Sequence, residues 1–389
     1  MSIVAALSVP YWLDSSATRY PPLAKDEDVD VVVVGGGVSG LSCAHVLAET
    51  GLRVRLLEAR TVGSGASGRN GGFIVRGLAQ PYSVLREPKS WRLTEEGVER
   101  VAELAGAAFR RVGHLHLVTE DERGAVLAEY EALAADGFEA DWVEPGDLPQ
   151  VLQRHFAGGL FESRDGVVEP GVWARGLAQR AAAAGVAIAE ETRALGLEET
   201  RVKTQRGVVS AERVVLATDG YTHGLVPELD ETLQVARNQV VATAPLPKRH
   251  FESAVSAREG HAYWQQISDR RLVIGGWRDV DLEVEFTREE AITSRVQERI
   301  EGFLATILGE VPEITHRWAG LLGFTPDRLP LAGELPGRPG VWTALGYSGH
   351  GNVLALVCGE GVAHALLGAA DPRLEAFSPG RIPGLRRPA

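Results

Sequence analysis

Cysteine is nearly absent from this chain: Cys43 and Cys358 are its only two, far apart and in no metal-ligand spacing. That argues against a disulfide framework and against a zinc site. An excess of positive charge is missing as well. The formal charge of −12 runs against nucleic-acid binding, whose affinity comes mainly from Lys and Arg on phosphate. No run approaches the roughly 20 apolar residues of a membrane-spanning helix. The opening "MSIVAALSVP" lacks the basic segment of a secretory leader. The expected setting is therefore cytoplasmic and reducing, with no nucleic-acid partner and no membrane span.

Glycine, by contrast, is abundant. It supplies 45 of 389 residues, against about 7% in ordinary proteins, so the backbone must turn tightly or approach a ligand closely at many points. The length allows two domains, or one large domain with an insertion. Residues 1–28 read as an irregular lead-in. Val29–Val34 is an uninterrupted β-branched run of the kind found in a parallel strand covered on both faces. "SGLSCAHVLAET" reads as a helix ending at Gly51, and "RVRLLE" as a second strand. From Lys89 to about Glu144 the pattern is long, charged and helical. A βα character returns between Val167 and Ala217, where "RVKTQRGVVSAERVVLAT" reads as a hairpin leading into an apolar strand. Strands then dominate from Val235, followed by a charged helix, Arg288–Leu308, and an apolar helix from about Asn352 to Leu367. The alternation implies a dinucleotide domain interrupted twice by pieces of a second, mixed domain.

Gly35, Gly37 and Gly40 fit G-x-G-x-x-G between the first strand and its helix, with Glu58 ending the next strand. Gly35 serves the tight turn, Gly37 lets backbone approach a pyrophosphate, and Gly40 lets helix pack on strand. The helix N-terminus offers free N–H groups to the anion, and Glu58 can accept hydrogen bonds from ribose hydroxyls. No Gly-Lys-Ser/Thr follows, so this is not a P-loop. Between NAD and FAD, the second glycine-rich stretch "GSGASGRNGG", Gly63–Gly72, favours the longer cofactor.

The stretch from "DVVVVGGGVSG" through "GSGASGRNGG" resembles the FAD-binding start of the D-amino-acid oxidase and glycine oxidase superfamily. The early "YW" and the "GASGRNGG" form are most similar to its gamma-glutamylputrescine oxidoreductase-like branch. The likeness continues through "DGVVEPGVWARGLAQ", "RVVLATDGYT", "RRLVIGG", "WAGLLGFTPDRLPLAG" and "GYSGHGN", in the family's order. It implies an α/β, Rossmann-like FAD-binding domain of D-amino-acid oxidase type, in segments 1–85, 155–225 and 318–389. This domain is interleaved with an α+β substrate domain on a mixed or antiparallel sheet, 86–154 and 226–317. It further implies non-covalent FAD held by Gly35, Gly37, Val38, Ser39, Gly40, Glu58 and Arg60. The second loop would add Ser64, Gly65, Ser67, Arg69, Asn70, Gly71 and Gly72, and the later segments Ala194, Ala217, Gly220, Gly346, Gly349, His350, Gly351 and Asn352.

Catalytic candidates are His350, Tyr263 and Trp264. The reaction implied is hydride transfer to flavin from the carbon next to an amine, leaving an imine that hydrolyses. Oxygen or another acceptor would reoxidise the flavin. Departures from the family narrow the substrate. Its glycine and D-amino-acid oxidases carry an arginine three residues before T-x-D, where Leu322 stands here. Its sarcosine oxidases carry a lysine two residues after G-H-G, here Val353; a flavin-linking cysteine, here Gly320; and an oxygen-assisting lysine, here Val273. A small-molecule amine, with a polyamine derivative such as gamma-glutamylputrescine as one candidate, suits such a site. The alternatives are an amino-acid or N-methyl amino-acid oxidase or dehydrogenase, and a flavin-binding subunit that needs a partner.

Overall fold

The computed structural model describes residues 9–385; the reading of the chain's start as free of a leader falls mainly on residues 1–8, outside that range. The first strand, Glu27–Val34, ends in four buried valines. Alternate side chains of a strand point to opposite faces. Val31 and Val33 accordingly enter one core with Leu41, Leu47 and Trp173, while Val32 and Val34 enter another with Leu57, Leu216 and Leu345. Burying each such side chain stabilises the fold by about 1.5–3 kcal/mol. A strand covered on both sides needs this unbroken apolar run, which puts it in the middle of its sheet.

That strand pairs in parallel with Val54–Leu57 and with Gly207–Leu216. Ala187–Ala189 and Val341–Leu345 add further parallel pairings at either side. Arg201–Thr204, Ala194–Glu198 and Leu331–Glu334 complete an eight-stranded sheet. Helices Val38–Glu49, Pro170–Ala183 and Gly351–Leu366 cover one face.

A second eight-stranded sheet runs in the order Ile314–Phe324, Gln234–Thr243, Leu272–Gly276, Ala262–Gln266, Ala254–Ala257, His114–Leu117, Gly159–Glu162, Asp141–Val143. Its pairs are antiparallel except Ala254–Ala257 with His114–Leu117. Helix Ser294–Leu308 packs on one face through Val296, Ile300 and Leu304. Gly159–Glu162 lies in this sheet, although the sequence reading put it in the cofactor-binding segment 155–225. A short three-stranded sheet, Phe73–Ile74, Gly166–Val168 and Phe109–Arg110, lies between the large ones in the chain path.

Two local expectations are corrected. The charged helix starts at Ser294, not Arg288, because Thr293 is held by Gln239: its N–H donates to Gln239 Oε1 (3.0 Å) and its hydroxyl accepts from Gln239 Nε2 (2.8 Å). The stretch from Lys89 to Glu144 is not purely helical. Helices Pro88–Ala105 and Glu120–Ala135 flank, in sequence, the interior strand His114–Leu117. The lead-in is also part of the core: Trp12 is buried against Val240, Val273 and Trp318, and its indole N–H donates to the Asn70 carbonyl (2.8 Å).

Candidate active site

Gly35 leaves the first strand at φ +115°, where an L side chain is strained. A Cβ there would lie 2.4 Å from the Ala217 carbonyl oxygen, and one on Gly40 would lie 2.0 Å from that of Gly35. Strand, turn and helix are therefore packed backbone on backbone. Gly37 is different, because its Cβ would meet Ser67 Oγ at 2.8 Å. That hydroxyl accepts the Val38 N–H (3.0 Å), so the second glycine loop lies across the helix N-terminus. Asn70 staples that loop: its amide donates to Ala66 and Ser67 carbonyls, and its Oδ1 accepts from Gly72 N–H and Asn352 Nδ2.

Glu58 accepts Gly36 N–H on Oε2 and Arg60 N–H on Oε1, both at 2.8 Å. Burial nevertheless pushes its carboxyl above the usual carboxylate range, the two N–H donors and Arg60 pulling the other way. Beyond it stands a charged wall. Arg60 Nη1 lies 2.7 Å from Glu290 Oε2, the Tyr221 hydroxyl also bonds Glu290, and Arg60 and Arg69 both donate to the Ser64 carbonyl.

A cavity of about 550 Å³ connects this turn with the second sheet. Gly35, Gly37, Val38, Ser39, Glu58, Arg60, Gly65, Ser67, Arg69, Asn70 and Gly71 line it, as do Ala194, Ala217, Tyr263, Gly349, His350, Gly351 and Asn352. Gly40, Ser64, Gly72, Gly220 and Gly346 do not. Gly40 packs on Gly35, and Ser64 turns its carbonyl to the two arginines. A Cβ on Gly72 would strike the Val168 carbonyl oxygen at 2.2 Å, and one on Gly220 the backbone of Leu321 and Leu322 at 3.0–3.1 Å. Gly346 donates its N–H to Asp219 Oδ1 (2.8 Å). Trp264 is the plain correction. It is fully buried on the far face of its strand against Phe251 and Phe303, and cannot touch a substrate.

Tyr263, its neighbour, faces the cavity. Its ring leaves room for no side chain at Gly71 or Gly275, whose Cβ atoms would approach it within 2.6 Å. Its hydroxyl accepts from Asn238 Nδ2 (3.0 Å), and Phe73 stands edge-on to it at 5.7 Å. His350 caps helix Gly351–Leu366 just after two left-handed residues, Ser348 and Gly349. Burial holds its imidazole down to about 4, with help from His114 and Arg278, and its Nδ1 has no partner among the described residues. It is therefore neutral near pH 7. Sequence reasoning missed Asp219, Tyr221, Glu290, His114, Ser256 and Asn238, all of which line the cavity. Only Asp219 and Tyr221 had a signal, in the quoted "RVVLATDGYT".

The family model for FAD dependent oxidoreductases of the DAO group matches residues 30–365. The chain belongs to that family. It is 28% identical to the probable oxidoreductase OrdL of Haemophilus influenzae over 96% of this chain and 91% of the relative. It is 27% identical to the gamma-glutamylputrescine oxidoreductase of Escherichia coli, over 94% and 90%. The structure of glycine oxidase from Geobacillus kaustophilus superposes with a TM-score of 0.77, at 24% identity, over 93% of this chain and 99% of that one. The protein is thus an FAD-dependent oxidoreductase. Among the described residues no helix is long and apolar enough to cross a membrane.

The residues present fit FAD. The cradle at Gly37, which a Cβ would fill, lies at a helix N-terminus suited to pyrophosphate, and Glu58 has lone pairs left for ribose hydroxyls. Ser39 is less free than expected, since its hydroxyl bonds Tyr347 Oη at 2.7 Å. When bound, FAD supplies the hydride acceptor.

Proposed function

We propose that this chain oxidises a primary or secondary amine at the carbon next to nitrogen, in preference to an α-amino acid, and that the imine product hydrolyses to a carbonyl compound. A polyamine derivative of the gamma-glutamylputrescine kind is the substrate class we favour. The cofactor would sit in the body built on the sheet that holds Glu27–Val34, and the amine against the second sheet, with oxygen or another acceptor completing turnover in the cytoplasm.

The observation that carries this reading is the cavity's lining. Its arginines are Arg60, Arg69, Arg193 and Arg288, of which Arg60 and Arg69 are paired with Glu290 and Arg288 lies 4.0 Å from Asp230. Leu322 and Val353 line it where the resemblance leads one to look for a carboxylate-binding cation. An α-amino acid would bury its carboxylate against those apolar groups, at a cost of several kcal/mol if unpaired. The faces of Phe73 and Tyr263 suit a cationic or neutral amine better.

An anaerobic screen of the purified chain tests the reading. Bleaching of the flavin by amines, with little or none by glycine, sarcosine or D-alanine, is expected; fast bleaching by any of those three overturns it. Failure of every compound would favour a flavin-binding subunit. One observation supports the amino-acid alternative. The Arg278 guanidinium, 5.3 Å from the Phe324 ring centroid, has no ion pair among the described residues. Arg278→Gln should leave amine oxidation unchanged under our reading, and abolish amino-acid oxidation under the other.

A further inference from the structure

His114 and His116 are two residues apart on one strand, so their side chains share a face. Ser256 stands opposite His116 in the adjoining parallel strand and opposite Tyr263 in the antiparallel one. Its Oγ lies 2.8 Å from His114 Nε2 and 2.9 Å from His116 Nδ1. Behind His114, its Nδ1 faces Glu162 Oε2 at 3.5 Å and Asp165 Oδ2 at 4.0 Å. The Asp165 side chain is completely buried, and Asp165 Oδ2 and His114 Nδ1 are each without a hydrogen-bond partner among the described residues. Two orphaned polar atoms thus face each other just outside hydrogen-bond reach. Ser256 and His114 line the cavity beside Phe73 and Tyr263.

We propose that Ser256, His114 and the Glu162–Asp165 carboxylates form a path that carries the proton of the substrate's ammonium out of the cavity. The inference rests on the amine reading above. An ammonium has no lone pair to drive loss of hydride from the neighbouring carbon, so the proton must leave first. With His114 Nδ1–H turned to the carboxylates, Nε2 accepts from the Ser256 hydroxyl. His116 then donates Nδ1–H to the same oxygen, leaving one lone pair for the substrate. The transfer conserves protons and charge. The ammonium N–H goes to Ser256 Oγ, the Ser256 proton to His114 Nε2, and the His114 Nδ1 proton to Asp165 Oδ2 or Glu162 Oε2. The amine is left neutral and one carboxylate becomes an acid.

The surroundings favour a proton over a metal ion. His114, Glu162 and Asp165 lie close enough to hold a cation, but Arg76, fully buried, already binds Asp165 Oδ1 (2.9 Å), Glu162 Oε1 (3.4 Å) and Glu95 Oε1 (3.0 Å). Burial pushes the Glu162 and Asp165 carboxyls up to about 7, with Arg76 pulling down, and for Asp165 with repulsion from Glu162 adding to the rise. Burial and Arg76 lower His114, its approach to Asp165 opposing them. Burial and His114 hold His116 at about 4, Glu122 opposing. Glu129 and Glu95 act on Glu162, and His114 on His350. Near pH 7, then, the imidazoles are neutral and the acid pair can still take up a proton.

The test is anaerobic stopped-flow reduction by a saturating amine against pH. Ser256→Ala, and Asp165→Asn combined with Glu162→Gln, should slow reduction by about 10²-fold at pH 7. The deficit should close by about one decade per pH unit as the free amine loses its own proton, and Ser256→Thr should restore the wild-type profile. Parallel profiles at all pH values, the mark of a merely structural role, would overturn the path. A second readout needs no reacting amine: ¹⁵N spectra of the histidine-labelled holoenzyme should show His114 as the Nδ1–H tautomer, shifting in Asp165→Asn. The Nε2–H tautomer would overturn the path, whereas a correct tautomer without reduction by any amine would count against the proposed substrate instead.

Discussion

Replacing Glu58 by alanine should damage the apoprotein as well as the cofactor site. The carboxylate is the acceptor for two backbone N–H groups, Gly36 and Arg60, each at 2.8 Å. Hydrogen bonds to a charged group contribute about 1.5–3 kcal/mol each, an upper bound of about 6 kcal/mol for the pair. Water entering the vacated space would recover part of that, leaving a loss of about 2–4 kcal/mol. A domain stable by about 5–15 kcal/mol stays folded but is measurably weakened. Glu58→Gln keeps one acceptor and turns an NH₂ group towards the other backbone donor, so it should recover less than half of the loss. FAD affinity should fall by a further ten- to a hundredfold, about 1.5–3 kcal/mol, through lost ribose bonds. Urea unfolding of the apoprotein measures the first effect and flavin fluorescence titration the second. An apoprotein within about 0.5 kcal/mol of wild type, binding FAD as before, would refute both roles.

Trp264→Ala should cost about 3–5 kcal/mol in unfolding experiments, while the surviving folded enzyme keeps its reduction rate; a selective loss of rate would return Trp264 to the site. His350, held at about 4 when folded against about 6.5 when unfolded, leaves the unfolded state with the extra proton between those values. Its contribution to stability is therefore present above pH 6.5 and lost as pH falls towards 4. His350→Asn should flatten that acid limb by up to about 1.4 kcal/mol per pH unit, and an unchanged slope in urea titrations would exclude a buried neutral histidine. The cavity lining contains no cysteine, Cys43 and Cys358 being buried in the helix core. Acid precipitation should accordingly release all flavin as free FAD; colour staying in the pellet would contradict this.

The glycine turn between the first strand and its helix was legible in the sequence because every part of it is local. The apolar run Val31–Val34, the glycines at 35, 37 and 40, and Glu58 lie within one βαβ unit, and chain geometry alone brings them together. The adjacent loop 63–72 follows directly, and its glycine content announced close backbone contact. The reacting end offered no such spacing. Period-2 alternation puts Tyr263 and Trp264 on opposite faces of their strand, but it cannot say which face meets the cavity; helix Ser294–Leu308 decides that by covering Trp264. His114 sits between two strongly helical stretches, and its short strand takes shape through pairing with Ala254–Ala257 and Gly159–Glu162. Ser256 reaches His114 across 142 residues of sequence, and Glu290 reaches Arg60 across 230. Hydrogen-bond partners so distant leave no periodic trace, because long-range strand pairing and burial, not local propensity, bring them together.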